Sequence, residues 1–434
     1  MRLKTLGALA VLGVCAVPAL ALVTAAVVAR AVQPPPRRKP SGRTVLLTGG
    51  KMTKSLQLAR MFDALGDRVV VAETPDYRFC GTRFSRAVGA FEVIPKFDGN
   101  DSTAYVAALR EVARRHAVDM FVPVASPAAA LHDARAKPLF PEHTEVFHFD
   151  ERTIEILDDK FAFCELCRMF ELSAPEVYHI EHAEQLLNFD FSGNKKYILK
   201  SIKYDPVFRL DLRTLPHAGW EERVRKLPIR PDHPWVLQEF VEGREVCTHT
   251  TIRDGEVAMY ICCDSSPFQV NYDMLDIPEV YDWVAQFAEK LGGTGQASFD
   301  FIVREDGVVM PIECNPRTHS AITLFHNMPT AAQAYWPAQN GHREYRPAAD
   351  ARPTFWLYHE LIRICTAGSW AEARMIFNRI RNGKEAVFRW DDPLPFLFLN
   401  HVQIPLLLLK GLARGTQWEK IDFNIGKIVE AGGD

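Results

Sequence analysis

The chain has 434 residues, 47% of them hydrophobic, with 51 basic against 54 acidic side chains and a net charge of −3. The near-neutral balance gives no footprint for nucleic acid, and the apolar content excludes a disordered chain. The length allows roughly two to four domains with sizeable cores. Nine cysteines, an odd and scattered set that includes the adjacent Cys262 and Cys263, exclude a disulfide framework and fit a reducing compartment. Cys164 and Cys167 form a C-x-x-C, but it lies in a helical run without a second pair, so it reads as packing thiols rather than a zinc or redox site.

Leu6 to Ala29 is uncharged and almost wholly apolar or small. At about 1.5 Å per residue it is long enough to cross a hydrocarbon core of about 30 Å. Arg2 and Lys4 precede it, whereas Arg30, Arg37, Arg38 and Lys39 follow, so a membrane anchor would leave the body on the cytoplasmic side. A cleaved leader ending at Ala19-Leu20-Ala21 is the other reading. Pro34-Pro35-Pro36 and Ser41-Gly42 read as a short stiff linker.

Thr44 to Thr48 predicts a buried strand, Gly49-Gly50 a turn, and Ser55 to Leu65 an amphipathic helix. Val69 to Ala72 and Asp119 to Val124 are further apolar strands, with a helix from Tyr105 to His116 between them. Strands alternating with helices predict an open α/β sheet. Gly49-Gly50-Lys51 falls at the carboxyl end of the first strand, where such sheets hold ligands, but it matches neither G-x-G-x-x-G nor a Walker loop. It reads either as a plain strand–helix turn or as part of a small-molecule site.

Thr153 to Glu171 predicts one helix carrying Lys160 beside Asp158 and Asp159. Tyr197 to Lys200 is a strand ending in a lysine, which needs a partner if buried. Trp235 to Val241 is an apolar strand interrupted by Gln238 and Glu239. Val246 to Arg253 and Glu256 to Cys263 form a hairpin around Asp254-Gly255, followed by a helix from Val280 to Leu291. A second hairpin, Gln296 to Val303 and Val308 to Ile312, closes at Glu305-Asp306-Gly307. That closure sets Asp300 opposite Glu313, and alternation puts Asn315 on the same face. Two carboxylates and an amide oxygen are the hard ligands Mg2+ takes beside nucleotide phosphates. Arg317 follows, where it can meet a transferring phosphoryl group. His249 and His319 lie near this hairpin, either touching substrate or holding structure.

After residue 330, Phe355 to Ile364 and Trp370 to Ile380 read as amphipathic helices. Pro393 to Leu409 is strongly apolar but broken by prolines and by Asn400, His401 and Gln403, too short and polar to span a bilayer. It either packs on the core or lies in a membrane interface, flanked by Lys410 and Arg414.

The Asp300, Glu313, Asn315 spacing and the run Glu-Cys-Asn-Pro-Arg resemble the metal-binding end of the ATP-grasp ligases. Four runs are similar to the branch of that family that makes mycosporine sunscreens: Gly49 to Lys54, Leu157 to Phe163, Ile198 to Ile202, and Ile312 to Ile322. The likeness covers Thr44 to Pro329 and resumes at Ile421 to Lys427. It implies an α/β and α+β architecture, a Rossmann-like pre-ATP-grasp domain lining the acceptor pocket (44–150) and a two-lobed ATP-grasp domain (151–330); the apolar run adds an N-terminal transmembrane helix and linker (1–43), and a helical C-terminal region (331–434) packs on the core or touches membrane. It implies ATP and Mg2+ as cofactors, with Lys160 and Lys200 on the phosphates and Gln238, Glu239, Val241 and Glu245 along the adenine and ribose. Asp300, Glu313 and Asn315 would hold the metal, and Arg317 and Lys200 would act in catalysis. The implied reaction is phosphorylation of 4-deoxygadusol and its condensation with glycine. Other small acids and amines, or nucleotide binding without catalysis, are the competing readings. The chain departs from the family pattern after the second lysine, where Ser201-Ile202-Lys203-Tyr204-Asp205 lacks the glycines of a phosphate lid and Lys203 or Arg209 would stand in.

Overall fold

A computed structural model describes residues 2–34, 38–99, 101–124, 127–202, 212–265, 271–338, 341 and 343–430. The expected lid residues Lys203, Tyr204, Asp205 and Arg209, and Pro35, Pro36 and Arg37 of the linker, lie outside the described residues.

Helix α1 (Arg2–Val32) buries one narrow stripe, Thr5, Leu12, Ala19, Val23 and Ala26. The first domain follows. Strand β1 (Thr44–Leu47) is buried throughout, as a strand covered on both faces must be. It pairs in parallel with β2 (Arg68–Glu73) and, on its other edge, with β4 (Met120–Val122). Strands β3 (Ala90–Val93) and β5 (Glu145–Val146) complete a parallel sheet of order β3-β2-β1-β4-β5. Helices α2 (Thr53–Ala64), α3 (Thr103–His116) and α4 (Pro127–Ala136) are its crossovers.

The single helix expected from Thr153 to Glu171 is two, α5 (Glu151–Asp158) and α6 (Lys160–Met169). Asp159 between them is extended, and its carboxylate accepts hydrogen bonds from the Phe161 and Ala162 amides at 2.8 and 2.9 Å. Aspartate satisfies a helix start better than it continues a helix, so the chain breaks there. Lys160 thereby becomes the first residue of α6. Cys164 and Cys167 are buried free thiols in α6, and Cys164 Sγ accepts from Gln238 Nε2 at 3.7 Å.

Strands β6 (Val177–Ile180), β7 (Tyr197–Ser201), β8 (Thr214–Leu215) and β9 (Trp235–Glu239) form an antiparallel sheet of order β6-β9-β7-β8. Leu199, Trp235 and Leu237 pack its core with the short helices α7 (Ala183–Leu187) and α8 (Trp220–Val224). The second lobe is built from β10 (Arg244–Arg253), β11 (Glu256–Asp264), β13 (Gly295–Val303) and β14 (Val309–Asn315), after the short β12 (Asn271–Tyr272). Its order is β11-β10-β13-β14. One face sends Val246, Phe299 and Phe301 onto Trp283 and Phe287 of α9 (Pro278–Leu291). The other face carries Cys247, Ile261 and Cys263 into a core shared with the first domain and the C-terminal residues.

Phe396, Leu399, Ile404 and Leu408 of the C-terminal residues enter that shared core. Strands β15 (Thr354–Phe355) and β16 (Lys384–Glu385) join β12, with α10 (Leu357–Cys365) and α11 (Trp370–Asn382) between them. Arg60 and Asp392 make a buried ion pair at 2.9 Å between α2 and this region. Helix α12 (Leu394–Arg414) buries Asn400 and Gln403. Gln403 accepts from the Gly81 amide at 3.0 Å and donates to the Gly426 carbonyl at 2.6 Å. The tail, read only as mixed from sequence, is a hairpin of β17 (Trp418–Asp422) and β18 (Lys427–Glu430). Its turn reaches the first domain, where the Thr53 amide donates to the Asn424 carbonyl at 2.9 Å.

Candidate active site

Strands β13 and β14 are joined through a tight turn in which Gly307, at φ +80°, takes the left-handed conformation that a side chain resists. Its amide donates to the Arg304 carbonyl at 3.0 Å. The register sets Asp300 opposite Glu313 and Ser298 opposite Asn315. A bulge follows, with Phe301 opposite Pro311, a feature common beside functional sites. Asp300, Glu313 and Asn315 thus share one face, while Phe299 and Cys314 go to the α9 core.

The three side chains touch. Asn315 Nδ2 lies 3.3 Å from Asp300 Oδ2 and 3.4 Å from Glu313 Oε1. Arg317 donates from Nη2 to Asn315 Oδ1 and from Nη1 to Asp158 Oδ1, the latter at 3.3 Å. Lys160 Nζ, placed by the break at Asp159, stands 3.6 Å from Glu313 Oε2. Lys200, half-buried near the end of β7, donates to Gln238 Oε1 at 2.9 Å. Gln238 in turn donates to the Ile312 carbonyl at 3.0 Å, tying the two lobes together.

The charges do not cancel. Burial, then the adjacent Glu313, push the Asp300 carboxyl well above the usual range. Burial would raise Glu313 as well, but Lys160 and Lys200 outweigh it and hold Glu313 low. Asp300 is therefore the uncompensated member of the pair. The donor set fits Mg2+, whose ligands are hard oxygens in small number, completed by water and phosphate. The Asn315 amide turns its NH2 to the carboxylates and its oxygen to Arg317, so for Asn315 to join the carboxylates on a shared cation the amide must turn and release Arg317. Among the described residues no three His, Cys, Asp or Glu side chains form a metal cage, so a divalent ion here needs phosphate oxygens as well.

Of the four residues expected along the nucleotide, Gln238 is fully buried and spends its amide on Lys200 and β14. Its place is behind the site, orienting Lys200. Glu239, at the end of β9, accepts from the Glu176 amide at 3.1 Å and meets Lys195 at 3.3 Å. Val241 is half-buried in the link to β10. Glu245 is exposed on β10, accepts from Ser265 at 2.6 Å and adds negative field at Asp300. An open groove of about 380 Å3 between α6 and β6, lined by Phe161, Tyr178 and Phe189, includes none of the metal or phosphate residues.

Sequence reasoning gave Lys54 no role of its own. In the glycine turn, Lys51 points away, its ammonium over the Tyr77 ring at 4.2 Å. Lys54, on the first turn of α2, points in. It is buried, and its ammonium donates to the Thr318 carbonyl at 2.6 Å. A lysine among the buried residues of an amphipathic helix was the available signal. His249 and His319 are buried together, the His319 amide donating to His249 Nδ1 at 3.2 Å.

No family model and no curated protein matches the sequence. Solved structures do match. The biotin carboxylase domain of 2-oxoglutarate carboxylase from Hydrogenobacter thermophilus, determined with MgADP, ADP and bicarbonate, is similar with a TM-score of 0.54 at 13% identity, over 69% of this chain and 71% of that one. An N5-carboxyaminoimidazole ribonucleotide synthetase in complex with ADP gives 0.54 at 14% identity, over 73% and 81%. The synthetase from Thermotoga maritima gives 0.51 at 16% identity, over 72% and 79%. These are ATP-grasp enzymes. At such identities the likeness is one of architecture, and the chain has the mixed α/β fold of ATP-grasp enzymes.

Proposed function

We propose that this chain is an ATP-dependent ligase that activates an acidic oxygen as its phosphate and lets an amine displace that phosphate, forming a C–N bond. The observation that carries the reading is the pairing of Asp300 with Glu313 beneath Asn315, with Lys160 and Lys200 set around them. ADP and MgADP bound in the solved neighbours support the same cofactors here. Mg–ATP would supply the phosphoryl group and neutralise charge on it. Asp300, Glu313 and Asn315 would hold the metal, and Lys160 and Lys200 would take up phosphate charge. Glu239 and Val241, at the link between the lobes, would meet the nucleoside, with Gln238 and Glu245 flanking them. Arg317, already on the Asn315 oxygen, would steady the group in transfer.

For substrates, the four sequence runs favour 4-deoxygadusol and glycine. 4-Deoxygadusol is an enolised 1,3-diketone, a vinylogous acid. Its enol oxygen would take the γ-phosphoryl group and release ADP. The glycine amine would add at that carbon and lose a proton, and phosphate would leave, giving the enaminone mycosporine-glycine. Incubation with ATP, Mg2+, glycine and 4-deoxygadusol tests this: ADP and a new ultraviolet-absorbing product are expected. ADP release only with other acids and amines would leave the ligase and remove these substrates. No ADP with any acid and amine would remove the ligase.

We also propose that the protein sits on the cytoplasmic face of a membrane through α1. The helix is apolar enough to enter a bilayer, and it exposes Val11, Val14, Val17 and Leu20 while resting its buried stripe against α12. Leu406 and Leu409 of α12 are exposed as well. Such a surface suits a helix lying in the interface as well as one crossing it. Flotation with anionic vesicles should carry the full chain and leave a variant lacking residues 2–33 at the bottom.

A further inference from the structure

The group around Lys54 is unusual in what it lacks. A buried ammonium is costly unless a negative partner stands beside it. Lys54 has one acceptor, the neutral Thr318 carbonyl, and the charges that act on it come from Arg317 and Lys51, both positive. Burial first, and those two cations second, push its pKa down to about 7.

His319 adds a second unanswered donor. Its Nδ1 accepts from the Ala321 amide at 3.3 Å, capping the turn of 3-10 helix that follows. That contact places the ring proton on Nε2. Nε2 is buried and has no hydrogen-bond partner among the described residues. The ring lies edge-on to Tyr272 at 5.2 Å and feels the charges of Lys54 and Arg317. Ser298, opposite Asn315 on the paired strand, also buries an unpartnered hydroxyl. Buried donors without acceptors are uncommon in folded proteins, and two of those in this chain stand beside the residues proposed to hold the metal, Ser298 beside Asp300 and His319 beside Asn315. What satisfies them all is an acceptor-rich anion.

We propose that Lys54, His319 and Ser298 form the seat of the acceptor's acidic group, a small carboxylate or a 1,3-dicarbonyl enolate, held between the first domain and the second lobe. The proposal rests on the ligase reading and narrows it: the molecule to be phosphorylated enters as an anion, and α2 selects it. The chain from Asn315 through Arg317 to His319 then runs from metal ligand to acceptor seat. The Thr53 amide, bonded to the Asn424 carbonyl, ties the same turn of α2 to the tail.

Binding is measured on the full chain with two probes, acetate and the cyclohexane-1,3-dione anion, by saturation-transfer NMR with and without MgADP. MgADP affinity is measured separately by calorimetry. Wild type should bind at least one probe. Lys54→Met should weaken that binding at least tenfold and leave MgADP affinity within threefold. His319→Asn, which keeps a capping oxygen near the Nδ1 position but removes the Nε2 donor, should weaken it as well. Lys54→Met should also raise the melting temperature of the protein alone, because it removes a buried charge that nothing neutralises; a structural lysine would lower it. Wild type that binds neither anion, or Lys54→Met that binds as tightly as wild type, overturns the proposal. If MgADP fails to bind but the anion arm behaves as described, the seat stands and the ligase reading falls.

Discussion

Replacing Glu313 by glutamine separates the fold from the chemistry. Lys160 Nζ lies 3.6 Å from the Glu313 carboxylate. At an effective dielectric of about 20 that contact is worth roughly 4–5 kcal/mol of attraction, before solvent weakens it. Against it stands the repulsion of Asp300, the cross-strand neighbour. At a typical cross-strand separation of about 5 Å, that repulsion is roughly 3 kcal/mol on the same scale. The two offset only in part, and Lys200 adds attraction that leaves the carboxylate net favoured, so Glu313→Gln should lower unfolding free energy by about 1–3 kcal/mol without unfolding the protein. Phosphoryl transfer has no such compensation. Losing one of two carboxylate ligands should lower kcat by roughly 10²–10³-fold, the scale seen when one charge-stabilising group is removed. A coupled assay for ADP release and a urea titration read the two effects on the same sample. A variant with kcat within fivefold of wild type would refute the assignment. A variant that loses activity only because it unfolds would refute the charge argument.

Other parts of the structure give further expectations. Arg60→Met leaves Asp392 buried, with only Ser85 and the Arg86 amide still donating to it, and should cost about 3–5 kcal/mol in urea unfolding. Gly426 has φ +68°, and a Cβ there would fall 2.2 Å from the Lys51 carbonyl. Gly426→Ala should therefore loosen the tail, seen as faster amide exchange across 49–54 and a raised KM for the acceptor. The Asp133 carboxyl, pushed up to about 7 by burial, keeps its proton at pH values where an unfolded chain, with a pKa near 4, has lost it. Wild-type stability should therefore fall as pH rises from about 4 to about 7, then level. Asp133→Asn, still accepting from the Tyr105 hydroxyl, should remove that slope and exceed wild type above pH 7 by on the order of 2–4 kcal/mol in urea titrations.

The hairpin that sets Asp300 opposite Glu313 was legible because three signals agreed: the Asp-Gly-type turn, the two-residue alternation and the spacing from Asp300 to Asn315. The parallel sheet of the first domain was legible from its short aliphatic strands for the same reason. What stayed hidden depended on contacts distant in sequence. Gln238 reads as an edge-strand polar residue until β7 and β14 are placed beside it. Lys54 looks like any helix lysine until Thr318 closes over it. The break at Asp159 was readable in principle, since Asp followed by two accessible amides is a helix start, but the apolar periodicity on both sides masked it. The tail gave no local pattern strong enough to show that it returns to the glycine turn. Hydrophobic period alone cannot separate a helix that packs on its own protein, as the polar face of α12 does, from one that also meets lipid.

In the proposed ligase, Asp300, Glu313 and Asn315 grip a divalent cation beneath a nucleotide. Electron paramagnetic resonance of Mn2+ with ADP tests it without requiring the acceptor. Wild type should bind one Mn2+ tightly when ADP is present, and Asp300→Asn should weaken that binding at least tenfold while remaining folded. Mn2+ bound equally well by the variant, or bound by neither protein in the presence of ADP, would contradict the account.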